Sequence, residues 1–149
     1  MHTHSLHSDG QCSLAALVAR ARARGLDFLC LTDHNTISGW ADVAAAQAEV
    51  LLIIPGMELT TYFGHATAVG IDRWIDWRVG HHGWTMNDAA RATHDAGGLF
   101  FVAHPWSIGS PSCTGCRWLY HDVDMSLADG SEVWSNRWPR ELSHNPCNL

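Results

Sequence analysis

Metal-ligand side chains recur at the ends of apolar runs in this chain, and that placement constrains the fold more than any other feature. His2-Thr3-His4 leads on to Asp9. Asp33-His34 follows the run at residues 26–32, Glu58 follows the run at 50–54 with His65 beyond it, and His104-Pro105 follows the run at 99–103. An isolated histidine usually belongs to a core or a surface. Four such segments in order imply a polynuclear metal site assembled from strand ends, the architecture of a metal-dependent hydrolase.

The runs alternate with helical patterns. Ser13 reads as an N-cap, Leu14, Leu17, Val18 and Ala21 follow at helical spacing, and Gly25 is a natural stop. Residues 40–48 are Ala-rich and read as helix. Thr85-Met86-Asn87-Asp88 resembles a capping box and opens a helix that ends at Gly97-Gly98. Residues 26–32, 50–54 and 99–103 have the pattern of buried parallel strands, the second closed by Pro55-Gly56. Residues 60–69 form a weaker strand candidate containing His65, and 131–134 could be one more strand. Residues 105–124 read as a long loop. This alternation predicts an α/β fold with βαβ units, a parallel sheet, and loops at the strand ends that carry the site. At 149 residues the chain fits one domain.

The residue types suit metal chemistry. His2 and His4 are two apart, so in an extended segment both rings face one side and can grip one ion. A carboxylate such as Glu58 can bridge two ions with its two oxygens. Mixed His and carboxylate ligands suit Zn, Mn or Fe(II) better than Ca or Mg. The metal candidates are therefore His2, His4, Asp9, His34, Glu58, His65 and His104. The catalytic candidates are Asp33, His34, Glu58 and His104, with Asp33 expected to orient a ligand histidine. A metal-activated hydroxide would make a Ser or Cys nucleophile unnecessary. His7 neighbours the first motif, but the ligands already named at this turn leave it no role, while His81, His82, His94, His121 and His144 lack such a context and read as surface or structural.

Nine basic against fifteen acidic residues make nucleic acid an unlikely general partner. Five cysteines are an odd number and exclude a fully paired disulfide framework, so a reduced, cytoplasmic protein is expected. No apolar stretch is long enough for a membrane span. Cys113-Thr114-Gly115-Cys116 lacks the second pair of a zinc ribbon and the strand–helix setting of a redox motif, so loop packing or an adventitious disulfide is expected. The tryptophans read as packing residues, or more sharply as an aromatic wall from Trp106, Trp118 and Trp134.

Together, His2-Thr3-His4-Ser5 with Ser8-Asp9-Gly10, Thr32-Asp33-His34-Asn35, Gly56-Met57-Glu58 and Ala103-His104-Pro105 resemble the motifs of the PHP (polymerase and histidinol phosphatase) metallohydrolases. Gly56-Met57-Glu58-Leu59-Thr60-Thr61-Tyr62 with Gly64-His65, and Glu132-Val133-Trp134, resemble the carbaryl-hydrolase-type branch. The resemblance implies a distorted, TIM-like (β/α)7 barrel with two or three divalent ions. It implies one ion on His2, His4 and Glu58, a second on Asp9 and His34, and a third on Glu58, His65 and His104. It further implies hydrolysis of a small-molecule phosphoester or, in that branch, a carbamate or ester.

The family closes its site with an Asp-x-His, and none follows Glu132 here. The expectation is a partial barrel, part of a longer protein, whose unpaired sheet edges favour a homo-oligomer. The rival expectation is a non-catalytic metal-binding or interaction domain, or an inactive fragment of a larger hydrolase.

Overall fold

The computed structural model describes residues 2–46, 51–109, 111 and 113–133. Five strands form one sheet in the order β1 (Phe28–Leu31), β2 (Leu52–Thr60), β3 (His65–Val69), β4 (Leu99–Ala103) and β5 (Gly130–Ser131). The expected strand at 131–134 thus starts one residue earlier and is short, and Trp134 lies outside the described residues.

The sheet is mixed, which corrects the expected parallel arrangement. β1 and β4 each pair in parallel with the strand that follows them, while β3 is antiparallel to both neighbours. The reason is connection length. Only residues 61–64 separate β2 from β3, enough for a hairpin and far too few for a crossover. The β1–β2 and β4–β5 connections are long enough to return the chain to the same end. Because β3 runs backwards, its first residue, His65, sits at the same sheet end as the last residues of β2 and β4: Thr60 pairs with His65, and His65 with Ala103.

β2 also departs from expectation. It does not close at Pro55-Gly56 but continues for nine residues, through Glu58, to Thr60. Pro55 forfeits one ladder donor, yet its carbonyl accepts from Gly70 N–H at 2.7 Å, so pairing resumes beyond it.

Strand alternation sorts the two sheet faces. Leu29, Leu31 and Ile53 pack with Leu14, Leu17, Val18 and Ala21 of α1 (Leu14–Ala23). Met57, Leu59, Ala66, Ala68 and Phe100 pack with Met86, Ala89 and Ala90 of α2 (Met86–Asp95). Each fully buried Leu, Met or Phe contributes about 1.5–3 kcal/mol. The intervening positions Thr32, Glu58, His65 and Thr67 belong to the other face and are buried polar groups. Both helices carry the caps read from sequence: Ser13 Oγ accepts from Ala16 N–H, and Thr85 and Asp88 form a reciprocal capping box. The helix expected at 40–48 is found in part: a 3-10 turn, Ser38–Asp42, leads into a short α-helix, Val43–Ala46, and 47–48 lie outside the described residues. No helix among the described residues is long and apolar enough to cross a membrane.

Candidate metal centre

The N-terminal segment runs beside the end of β1. Thr32 N–H donates to the Thr3 carbonyl (2.9 Å), and Thr3 N–H donates to Thr32 Oγ1 (3.0 Å). Thr3 is buried on one side of this extended segment, so His2 and His4 face the other. The chain then folds back at Gly10, where a Cβ would stand 2.2 Å from the His4 carbonyl oxygen, so only glycine fits.

Asp33 is 1% exposed. Its carboxylate accepts from Ser5 N–H (2.6 Å), Ser5 Oγ–H (2.8 Å) and Ser8 Oγ–H (2.8 Å). This corrects the expectation that Asp33 orients a ligand histidine. It organises the turn that presents His4 and Asp9. The physical reason is strand alternation: next to His34 in sequence, Asp33 faces the opposite way.

Asn35 performs a role that sequence reasoning missed. Its backbone is left-handed (φ 56°), a conformation that Asn tolerates. Its side chain accepts from Thr60 N–H (2.8 Å) and donates to the Thr60 carbonyl (3.1 Å), continuing the ladder beyond β1. His34 is thereby held opposite Glu58.

All seven predicted ligands converge. Glu58, 0% exposed, lies at the centre. Its Oε2 is 3.0 Å from His2 Nε2, 3.4 Å from His4 Nε2 and 2.8 Å from His34 Nδ1. Its Oε1 is 3.0 Å from His65 Nδ1 and 3.0 Å from His104 Nε2. The two oxygens thus serve different sets of imidazoles. Asp9 is largely exposed at the rim, with Oδ1 3.4 Å from His34 Nε2 and 3.8 Å from His4 Nδ1.

Four buried polar atoms here, His2 Nε2, His4 Nδ1, Glu58 Oε2 and His65 Nε2, have no partner in hydrogen-bond geometry, although Glu58 Oε2 lies at ion-pair distance from His2 and His34. Each such atom costs about 1–3 kcal/mol when nothing satisfies it. Buried donor atoms clustered this way fit cations, and several triads, including His2–His4–Glu58, His4–Asp9–His34 and His34–Glu58–His65, lie within 4.8 Å internally.

The electrostatics without ions show the same frustration. Burial drives the Glu58 carboxyl up, but the imidazoles of His104, His2, His34 and His65 close against it outweigh burial and hold it well below the usual range. Burial likewise opposes charge on His2, yet Glu132 and Glu58 raise it to about 9. His4 goes the other way, to about 4, because burial and the nearby His34 and His2 exceed the pull of Glu58. Neighbouring rings of one type therefore differ sharply in proton affinity.

His104 follows β4 with a left-handed backbone (φ 30°), a strained conformation for a residue with a side chain. Its N–H donates to Glu132 Oε2 (2.9 Å), and its Nδ1–H donates to the Cys116 carbonyl (3.0 Å). The second bond fixes the tautomer and leaves the Nε2 lone pair available to an ion. Glu132 also accepts from His2 Nδ1–H (2.9 Å), so it fastens two ligand candidates and could itself hold an ion with His2 and His104. Glu132 and Cys116 were missed as site residues. Glu132 stood in the branch-like motif Glu132-Val133-Trp134, which was a usable signal, while Cys116 in its loop gave none.

His7 contacts Ser38 and Asp42, and His94 pairs with Asp129 at 2.9 Å. His81, His82 and His121 are exposed, and His144 lies outside the described residues. Of the tryptophans named for an aromatic wall, Trp106 is 84% exposed, Trp118 packs on Gly64, next to His65, and on Tyr120, and Trp134 lies outside the described residues.

Comparison with known proteins agrees with this geometry. The chain is 44% identical over 62 residues to a 5'-3' exoribonuclease of Haemophilus influenzae, covering 41% of this chain and 23% of that protein. It is 36% identical over 77 residues to a 3',5'-nucleoside bisphosphate phosphatase of Chromobacterium violaceum, covering 48% and 27%. The chain therefore spans about a quarter of the length of these relatives. Among solved structures, a two-domain protein of Bacteroides vulgatus containing a predicted PHP-like metal-dependent phosphoesterase superposes with a TM-score of 0.59. It is 26% identical, with 78% of this chain and 37% of that one covered. The PHP domain family profile matches residues 1–99, most of the described ligand cluster included, and the chain belongs to the PHP domain family.

Proposed function

We propose that the chain carries the metal centre of a PHP-type phosphoesterase. The observation behind this reading is the convergence of five imidazoles on the buried Glu58 carboxylate, with four buried ligand atoms outside any hydrogen-bond geometry. His2, His4 and Glu58 would hold one ion, Asp9 and His34 a second, and Glu58, His65 and His104 a third, with Glu58 bridging through its two oxygens. Divalent ions bound there would polarise a phosphoryl oxygen and lower the pKa of a water molecule. Asn35 and Asp33 keep the ligand-bearing segments in register, Glu132 holds His2 and His104, and Asp9 at the rim stands where substrate would approach.

The resemblance supports extending the mixed sheet to a (β/α)7 barrel in the whole protein. The two named relatives favour phosphoesters over the carbamate or ester reading. One of them acts as an exoribonuclease, so RNA belongs among the substrates to be tried despite the acidic composition. The test is to strip the chain of metal, add back Mn(II) or Zn(II), and assay a 3',5'-nucleoside bisphosphate, a short 5'-phosphorylated RNA and an aryl carbamate. Metal-dependent release of phosphate from the bisphosphate, or of nucleotides from the RNA, supports the proposal. Turnover of the carbamate alone would overturn the phosphoester reading. Stoichiometric metal with no turnover of any substrate would replace the reading with a non-catalytic metal-binding domain.

A further inference from the structure

We propose that Cys113-Thr114-Gly115-Cys116 is a redox-gated arm of the metal centre. The reduced Cys116 thiolate joins His65 and His104 as a ligand of a thiophilic divalent ion such as Zn(II), and a disulfide with Cys113 withdraws it. This rests on the reading of the imidazole cluster as a metal site and names a ligand beyond it.

Several independent features point there. A ring nitrogen of each of His65 and His104 and the Cys116 sulfur lie within 4.8 Å of one another. His65 is 3% exposed, and its Nδ1–H donates to Glu58 Oε1 (3.0 Å). Its other nitrogen, Nε2, is thus the lone-pair side, and it is one of the buried atoms without a partner. That atom faces the Cys loop: a Cβ at Gly115 would stand 3.0 Å from His65 Nε2 and 1.9 Å from the Thr61 carbonyl oxygen. Gly115 is left-handed (φ 72°), and only glycine lets the loop press this closely on the imidazole. The Cys116 carbonyl also accepts from His104 Nδ1–H (3.0 Å), so the residue that offers sulfur sets the tautomer of the neighbouring ligand.

The pair is poised for the alternative state. Cys113 and Cys116 are joined as a disulfide, with Cα atoms 5.5 Å apart, an ordinary separation for such a bond. Both residues are half-buried, so small oxidants have access. The oxidant required is a small disulfide such as glutathione disulfide. One protein thiolate attacks it and expels the first small thiolate. The other cysteine then attacks the mixed disulfide, closes the Cys113–Cys116 bond and expels the second. Two protein thiols become one disulfide, and the oxidant takes up two electrons and two protons as two small thiols. A thiolate ligand shifts preference toward Zn(II) or Co(II) and away from Mn(II) or Mg(II), so oxidation would change both affinity and metal choice.

The test loads the metal-free chain with Co(II) under reductant and records the near-ultraviolet thiolate-to-cobalt charge-transfer band. Equilibrium dialysis gives the Zn(II) content in parallel. The reduced wild type should show the band. Cys116→Ser should lack it and bind the ion at His65 and His104 at least about tenfold more weakly, the effect reported even for groups that only support a ligand. Glutathione disulfide should abolish the band in the wild type as the Cys113–Cys116 bond closes, whereas Cys113→Ser, which cannot close the pair, should lose it only as glutathione becomes attached to Cys116. That contrast separates this pair from the other cysteines, and peptide mapping identifies the bond. A Cys116→Ser protein with the wild-type band and Zn(II) affinity overturns the proposal. So does a wild-type protein that keeps the band after glutathione disulfide has closed the Cys113–Cys116 bond. His104→Ala separates the two readings. If it loses metal while Cys116→Ser does not, the metal centre stands and only the gate fails. If neither loses metal, the centre itself is misassigned.

Discussion

The two segments that present ligands to Glu58 are built differently. The N-terminal turn is knit into the sheet by buried, redundant bonds: Thr3 with Thr32 in both directions, and Ser5 and Ser8 on the Asp33 carboxylate. The described residues from His104 to Glu132 are mostly loop, fastened near the site by the Cys116 carbonyl, the Glu132 carboxylate and the two-residue β5, with a few main-chain bonds such as Leu119 N–H to the Phe63 carbonyl (2.7 Å). A segment with few buried bonds opens more easily than one tied down by many. The N-terminal ligands therefore sit on a rigid frame, whereas the positions of His104 and Cys116 depend on a loop whose covalent state can change.

Glu58→Gln would break the comparison altogether, because both segments meet on that carboxylate. It should abolish metal retention in dialysis. It should also destabilise the metal-free protein by about 3–5 kcal/mol in urea unfolding, since buried imidazoles lose their counter-charge. Retention of metal at the wild-type level would show that Glu58 is not the hub.

Asp33→Ala probes the rigid frame. Three bonds to a buried carboxylate disappear, leaving Ser5 N–H unpaired, for a loss of about 3 kcal/mol. Metal content should fall with it, although Asp33 touches no ligand ring. A variant of native stability with full metal would refute the framing role.

Glu132→Gln probes the looser segment, and its stability effect should be smaller, about 1 kcal/mol. Metal affinity should fall about 10–100-fold, because His2 and His104 both lose their anchor. A stability loss as large as that of Asp33→Ala would erase the distinction between the two regions.

The gentlest probe is proton release. Glu132 and Glu58 raise His2 to about 9, above its ordinary 6.5, so the metal-free protein holds that proton at pH 7.5. An ion needs the deprotonated ring. Zn(II) titrations in buffers of different ionisation enthalpy should report at least one proton released near pH 7.5, with the release vanishing as pH rises through about 9. His2→Gln should lower it. Release that persists unchanged well above that pH would place the proton elsewhere.

Much of the site could be read from the linear order of residues, because its signals are local. Ser13 and Thr85 mark helix starts through bonds to residues three positions on, and the i, i+3, i+4 spacing of Leu14, Leu17 and Val18 marks a buried stripe. His2 and His4 share a side because an extended chain alternates. The family motifs named the ligand candidates, which the fold brings together. What escaped depended on pairing between distant segments.

Residue types and short spacings thus determined which side chains could serve a metal centre and which segments would be helix or strand. Tertiary structure alone decided that β2 continues through Pro55, which makes Glu58 a central strand residue, and that β3 runs backwards and delivers His65 to the site. It also decided that Asp33 serves the turn, and that Glu132 and Cys116 join from residues more than fifty positions beyond Glu58. Strand direction, register and the facing of a loop are set by hydrogen bonds and burial across the whole sheet, and no local stretch of sequence encodes them.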